Sequence, residues 1–352
     1  MNGRLRVAVV GCGVQAQVAL LPALKANPAI ELVALCDTDV RKLHQLCARY
    51  NVKRYYTDFD RLKEETDINA VVIATPNYLH APMAIAALSS GKDVLCELPL
   101  ATSSIEAEEM VQTAHRERRR LMACLATRLR ADVQLVKKYV AHQDLGRIYY
   151  AKTGWLRGRQ AWSPSTWQRE HRYAGGGAFL NLGSVLLDSA LWLVAPAKPV
   201  SVIGVGASHR SGQGRGERAV EDTAFALIRF DNGLILTVEV GWSLLLERDF
   251  VYFNLFGTSG AAVLNPLTIN REIQGRLVNI TPPLTIRGQV RSAYQQLVKN
   301  WVESLLQDEP PDVAVADALL INQIADAFYQ SNLSGVEVKL PPADNGAGVA
   351  PS

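Results

Sequence analysis

Two glycines spaced two residues apart carry the clearest chemistry in this chain. Val7-Ala8-Val9-Val10-Gly11-Cys12-Gly13-Val14-Gln15-Ala16 runs from an apolar strand-like stretch into a helical one. Glycine at position 11 permits a tight turn. Glycine at 13 lets the backbone approach a pyrophosphate, whose charge settles on the helix N-terminus. Ala16 stands at the third position of this fingerprint, where alanine is tolerated. Asp37 ends the second apolar run, 24 residues beyond Gly13. A carboxylate there accepts a hydrogen bond from a ribose 2′-hydroxyl and repels a 2′-phosphate. The pattern predicts a dinucleotide site that takes NAD, with NADP less favoured. The alternative is a structural glycine turn that binds nothing.

A second polar set lies after the triplet Gly175-Gly176-Gly177. Helical spacing places Asn181, Ser184 or Val185, and Asp188 on one face of an otherwise apolar helix. Such a stripe predicts a face turned to a cavity. The alternative is that the three polar residues make hydrogen bonds within the core.

These residues need elements to hold them. The chain has 352 residues, 48% hydrophobic and 20% charged, enough for two domains. Residues 7–10, 32–36, 70–74, 94–96 and 121–125 read as strands, with amphipathic helices near 15–27, 39–50, 80–90 and 103–118. This alternation predicts an α/β fold, a doubly wound parallel Rossmann sheet over residues 1–125. Residues 126–340 read differently. Helices are expected at 130–143, from the triplet to about 194, at 292–307 and at 314–331. Strands are expected at 149–155, 200–208, 222–230, 234–242, 250–256 and 261–264. Asp231-Asn232-Gly233 marks a hairpin. This block predicts an α+β domain with an open, mostly antiparallel sheet. Residues 211–216 read as a mobile loop, and 341–352 as a disordered tail.

The net charge of +3 is too small to imply nucleic acid. The basic run Arg116–Arg120 reads as a solvated helix end. No run of eighteen apolar residues suggests a membrane span, and the N-terminus lacks signal-peptide architecture, so a cytoplasmic protein is expected. The five cysteines, all within the first 124 residues, form no C-x-x-C pair. Buried free thiols are expected, with no disulfide framework and no metal site.

Several segments resemble the Gfo/Idh/MocA family of nicotinamide-dependent sugar and polyol dehydrogenases. Gly11-Cys12-Gly13 through Leu21-Pro22-Ala23-Leu24 is similar to its first loop and helix. Ala74-Thr75-Pro76-Asn77-Tyr78-Leu79-His80 is similar to its fourth-strand loop. Cys96-Glu97-Leu98-Pro99-Leu100 resembles its Glu-Lys-Pro loop, and the stretch from Gly175 to Asp188 its G-G-G…D-x-G-x-H-x-x-D helix. Glu221-Asp222-Thr223 and Phe256-Gly257-Thr258-Ser259-Gly260 match its sheet.

The resemblance implies that Gly11, Gly13, Val14, Gln15, Ala16, Asp37, Thr75, Pro76, Asn77, His80, Glu97 and Pro99 hold the cofactor, with a cis peptide before Pro99. It implies a substrate pocket lined by Leu98, Asn181, Ser184, Val185, Trp167 and His171. Arg157, Arg159 and Trp162 lie on the same connection, which suits an anionic or flat substrate, or is simply a solvated loop. Three positions depart from the family pattern. Leu98 replaces its lysine, Asn181 its aspartate and Val185 its histidine. Moving a hydride at a carbinol needs a group that moves the hydroxyl proton, and Leu98 and Val185 cannot. Tyr78 and Asp188 are the candidate catalytic residues, with His80, His171 and Tyr173 nearby. For Tyr78, ordinary packing on the cofactor is the competing role.

The expected function is an atypical NAD(P)-dependent oxidoreductase acting on a small or conjugated organic substrate, with slow turnover of simple sugars. The alternative is a non-catalytic cofactor-binding homologue, a sensor or partner subunit. A homodimer or homotetramer is expected through the open sheet, where Leu234, Leu236, Val238 and Val240 alternate along one strand.

Overall fold

A computed structural model describes residues 4–159, 164–209, 220–284, 288–307 and 314–341. The first sheet comprises β1 (Leu5–Val10), β2 (Ile30–Cys36), β3 (Arg54–Tyr56), β4 (Ala70–Ile73), β5 (Asp93–Cys96) and β6 (Leu121–Ala123). All pairings are parallel, in the order β3-β2-β1-β4-β5-β6. Val7 to Val10 and Ala70 to Ile73 are almost wholly buried, as expected of strands covered on both faces. The helices are α1 (Leu21–Ala26), entered through a π-helical turn Ala16–Leu20, α2 (Val40–Tyr50), α3 (Phe59–Lys63), α4 (His80–Ser89) and α5 (Ser104–Arg116). Two starts are chemically marked. The Asp39 carboxylate accepts from Lys42 N at 3.0 Å. Ser103 Oγ accepts from Glu106 N, while Glu106 reaches back to Thr102 N at 3.0 Å.

The second sheet has nine strands: β7 (Ile148–Gly158), β8 (Pro199–Ala207), β9 (Thr223–Phe230), β10 (Ile235–Leu244), β11 (Phe250–Gly257), β12 (Gly260–Leu264), β13 (Thr268–Ile273), β14 (Arg276–Asn279) and β15 (Val338–Lys339). The order is β14-β13-β12-β11-β7-β10-β9-β8-β15, antiparallel except for β7 against β10. Gly233 takes φ +84° in the Asp231–Gly233 turn, as the hairpin requires. The helices are α6 (Ala131–Ala141), α7 (His171–Ala174), α8 (Ser184–Val194) behind a π-helical turn Phe179–Gly183, α9 (Gln289–Gln307) and α10 (Val315–Ser334). The fold is thus a Rossmann sheet joined to an α+β unit with a mostly antiparallel sheet.

Three differences from the sequence expectation have local causes. Strand β3 and helix α3 lie in the stretch from 51 to 69, which has too few apolar residues to show a period. β13, β14 and β15 extend the sheet edges with mostly exposed residues. The stretch His171–Val194 does qualify by length and composition as a membrane span, contrary to expectation. Yet 83% of its apolar window is buried inside the protein, the position of a core helix. The expected loop at 211–216, Trp162 and residues 342–352 lie outside the described residues.

The sheet faces are now assigned. Leu234, Leu236, Val238 and Val240 are buried. The alternate face carries Ile235, Thr237 and Glu239, with Phe225 and Val205 in the neighbouring strands 48% and 64% exposed. Helix α10 ties the two units together. Asn322 Nδ2 donates to Ala101 O at 2.8 Å, and Asp326 accepts from Ser104 N at 2.8 Å.

Candidate active site

The glycine turn has the form a dinucleotide needs. Gly11 takes φ +83°, and a Cβ there would stand 2.5 Å from the Ala74 carbonyl. Only glycine lets β1 end this close to the loop after β4. At Gly13 a Cβ would meet nothing within 4 Å, and Val14 is 78% exposed. No part of the protein fills the space above this turn, where the first N–H groups of the helix lack intrahelical partners. The chain's own packing therefore explains Gly11 but leaves Gly13 to be explained by what the turn holds. These residues fit a bound dinucleotide.

Asp37 lies at the end of β2 as expected. Its carboxylate accepts from Cys12 N at 2.8 Å, from Asp39 N at 2.9 Å and from Lys42 Nζ at 2.9 and 3.0 Å. Burial pushes its pKa up, but these donors outweigh burial and hold the carboxyl below its ordinary value. Burial raises the neighbouring Cys12 and Cys36 thiols to about 12, so both are inert. All five cysteines are free.

The loops after β4 and β5 are locked to each other. His80 is buried, with Nδ1 2.8 Å from Pro99 O and Nε2 2.9 Å from Thr75 O. Burial lowers its pKa, and the two carbonyls only partly offset this. The Leu98–Pro99 peptide is cis. Glu97 is buried beneath the turn. Its carboxylate accepts from Gln15 Nε2 at 3.2 Å, Tyr294 Oη at 3.1 Å and Leu98 N at 3.2 Å. Burial pushes this carboxyl up to about 7 against those donors. Gln15 also contacts Tyr294 directly. His80 and Glu97 thus brace the loops from below.

The glycine triplet is explained by packing. A Cβ on Gly175, at φ +76°, would lie 2.6 Å from Thr102 Cβ. Side chains at Gly176 and Gly177 would overlap Tyr329 and the Glu221 carbonyl. The Glu221 carboxylate accepts from Gly177 N at 2.9 Å, Phe179 N at 2.8 Å and Tyr329 Oη at 3.0 Å. This buried carboxyl, pushed up to about 7 by burial, caps the helix that continues to Val194. Asn77 is buried and donates to Ala174 O at 2.8 Å. The triplet therefore rests on the loops at 74–80 and 98–102, and the helix points its first turns over both.

On that helix, Asn181 and Val185 are half-buried while their neighbours are sealed. Leu98 is half-buried too, between buried Glu97 and Pro99. Two expectations are corrected. Ser184 is fully buried and donates back to Leu180 O. Asp188 is fully buried in an ion pair with Arg128, which also reaches Asp317. Helical spacing gave them one face with Asn181, but the face is split: the Asn181–Val185 edge is open, and the Ser184–Asp188 edge faces the interior. Asp188 is therefore not placed to touch a substrate.

Tyr78 is 37% exposed, its ring 4.9 Å from that of Tyr173, which in turn stacks under Arg172 at 4.3 Å. His171 is exposed, edge-on to Tyr329 at 6.5 Å. Trp167 is half-buried in a 3₁₀ turn. Arg157 is committed to Asp249 at 3.0 Å, and Arg159 is exposed. Among the described residues no three His, Cys, Asp or Glu side chains gather as a metal site. Tyr294, Tyr329, Lys42 and Arg128 are not legible as site residues in the sequence. Tyr294 reaches Glu97 across 197 positions and Tyr329 reaches Glu221 across 108, distances at which no spacing rule operates. Lys42, five residues after Asp37, was within reach of such a rule.

These features define a dinucleotide-dependent oxidoreductase built on a Rossmann sheet. The chain belongs to the Gfo/Idh/MocA oxidoreductases: residues 5–124 match the oxidoreductase family with an NAD-binding Rossmann fold, and residues 133–263 match the family's C-terminal domain. Its relatives include a putative UDP-kanosamine synthase oxidoreductase subunit of Amycolatopsis mediterranei, 29% identical and covering 93% of this chain and 96% of the relative. The D-glucoside 3-dehydrogenase of Escherichia coli is 28% identical, covering 96% and 97%. The solved structure of levoglucosan dehydrogenase in complex with NADH and levoglucosan has the same fold, with a TM-score of 0.84 at 23% identity, covering 96% of this chain and 100% of that one.

Proposed function

We propose that this protein transfers a hydride between NAD and a hydroxyl-bearing carbon of a sugar-like substrate, in an atypical pocket with an apolar wall. The observation that carries this reading is the half-buried pair Leu98 and Val185, at the positions where the family pattern has lysine and histidine, beside a turn that fits the dinucleotide. Bound NAD supplies the hydride acceptor. The turn at Gly11–Gly13 receives the pyrophosphate, and Asp37 receives the adenosine ribose. Glu97 and His80 fix the two loops that border the nicotinamide end. Asn181 donates and accepts hydrogen bonds to orient substrate hydroxyls. Tyr78, exposed at the loop after β4, takes and returns the hydroxyl proton. Leu98 and Val185 favour a substrate that presents an apolar or flat group to them. The names of the relatives, which act on glucosides or nucleotide sugars, support a sugar moiety.

The test compares NADH formation from aryl glucosides with that from free glucose and inositol. An apolar group seated against Leu98 and Val185 gains about 1–3 kcal/mol, so aryl glucosides gain at least about tenfold in kcat/KM. Equal kcat/KM values, or none above background, would overturn the reading. We further propose that a second copy of the chain covers the open sheet face around Phe225 and Val205, and that Trp167 and His171 border the pocket mouth.

A further inference from the structure

The dinucleotide reading leaves one side chain unexplained. Both oxygens of Asp37 are already engaged by the protein itself. Oδ2 accepts from Cys12 N at 2.8 Å and Lys42 Nζ at 3.0 Å, and Oδ1 accepts from Asp39 N and Lys42 Nζ, both at 2.9 Å. An ionised carboxylate offers about four lone-pair sites. Four contacts occupy them, so a ribose diol arriving at Asp37 meets a saturated acceptor.

One of these donors has to leave, and they differ in freedom. Cys12 N belongs to the glycine turn, held in place by the close approach of Gly11 to Ala74. Asp39 N belongs to the residue that caps α2, whose own carboxylate accepts from Lys42 N at 3.0 Å. Neither backbone group can withdraw without unmaking the turn or the cap. The Lys42 ammonium sits at the end of a flexible four-carbon stem. Its side chain is 29% exposed, against 10% for Asp37. It is the one donor that can swing away while the backbone stays in place.

We propose that Lys42 sets cofactor selectivity at Asp37. When a ribose 2′-hydroxyl binds, it takes the lone pairs that the ammonium gives up. When a 2′-phosphate binds, the same ammonium turns to the phosphate and neutralises the charge that Asp37 alone would repel. Lys42 therefore acts with opposite sign on the two cofactors: it competes with the ribose of NAD and is a ligand for NADP. The protein accepts NADPH better than its acidic strand end implies. This inference rests on the reading of Asp37 as the ribose acceptor and adds to it a residue that sets the ratio.

The experiment is a fluorescence titration of NADH and NADPH, without substrate, against wild type, Lys42→Met, Lys42→Gln and Asp37→Asn. A partly exposed ion pair contributes up to about 1 kcal/mol, so releasing Asp37 from Lys42 tightens NADH by up to about fivefold. Loss of a charge-assisted contact to phosphate weakens NADPH by about tenfold. Both lysine variants shift the NADPH-to-NADH ratio of Kd values by more than about tenfold. A ratio within about threefold of wild type, or weaker NADH binding in both variants, overturns the role of Lys42. Asp37→Asn separates this failure from a wider one. If it weakens NADH while the lysine variants are silent, only the Lys42 assignment falls. If it leaves NADH unchanged, the ribose site itself is misplaced and the proposal falls with it.

Discussion

Removing the Asp188 side chain tests whether this residue serves the interior or the chemistry. Both partners of its ion pair are sealed, with Arg128 3% and Asp188 0% exposed. Burial alone pushes the Asp188 carboxyl up, and Arg128 pulls it back. Asp188→Ala leaves a buried guanidinium with half its partners, and breaking a buried pair from one side costs about 3–5 kcal/mol. Asp317 still holds the other edge of Arg128 and is 42% exposed, which keeps the loss near about 3 kcal/mol. In a unit of 150–250 residues each kcal/mol moves Tm by about 2–4 °C, so the transition falls by about 6–12 °C. The double variant Arg128→Met with Asp188→Leu replaces the pair by apolar volume and recovers most of that loss. Scanning calorimetry reads the transition, and an NADH titration well below it reads the cofactor site, where Kd stays within about twofold of wild type. A transition moved by less than about 2 °C with turnover reduced more than about 100-fold would refute the reasoning and return Asp188 to the active site.

Two glycine variants should part company. Gly177→Ala overlaps the Glu221 carbonyl and yields an unstable protein, whereas Gly13→Ala meets nothing within 4 Å, keeps its Tm and loses at least about tenfold in NADH affinity by calorimetric titration. The Glu97 carboxyl is raised from 4.5 to about 7 in the folded protein, so the stability it contributes is full below pH 4.5 and is lost as pH rises through about 7. Tm measured from pH 5 to 8 should therefore fall less in Glu97→Gln than in wild type. The comparison between proteins matters because His80, lowered by burial, acts in the opposite direction; equal slopes would remove Glu97 from this role. Light scattering at micromolar concentration should give at least a dimer, and Phe225→Glu with Val205→Glu, both on the exposed sheet face, should give a monomer. A monomeric wild type would contradict the covered face.

The Rossmann sheet was legible because its signals are local. Val7 to Val10, the glycine turn and Asp37 lie close together in sequence, and the structure places them in one corner. The same holds for the Asp231–Gly233 hairpin, where three residues dictate the turn. The helix after the triplet was legible as a helix but not in its orientation. A spacing of three or four residues groups Asn181, Ser184, Val185 and Asp188 on a broad face, and only the packing of Arg128 against that helix decides which edge is interior. The strand face was ambiguous for the same reason. Leu236, Val238 and Val240 alternate plainly, yet nothing local says whether helices or solvent cover them. The Glu97–Gln15–Tyr294 and Glu221–Gly177–Tyr329 contacts were invisible, since each joins residues that meet only when distant elements pack.

The central claim is that hydride transfer proceeds in a pocket whose proton is handled by Tyr78, with Leu98 and Val185 as apolar wall. Its most direct test is single-turnover NADH formation at 340 nm from an aryl glucoside, with wild type and Tyr78→Phe, alongside NADH Kd for each. The account predicts transfer by the wild type, a loss of about 10²–10⁴-fold in the rate of the step for Tyr78→Phe, and Kd values within about twofold. Transfer at the wild-type rate by Tyr78→Phe would contradict it, as would no transfer by a wild type shown to hold NAD.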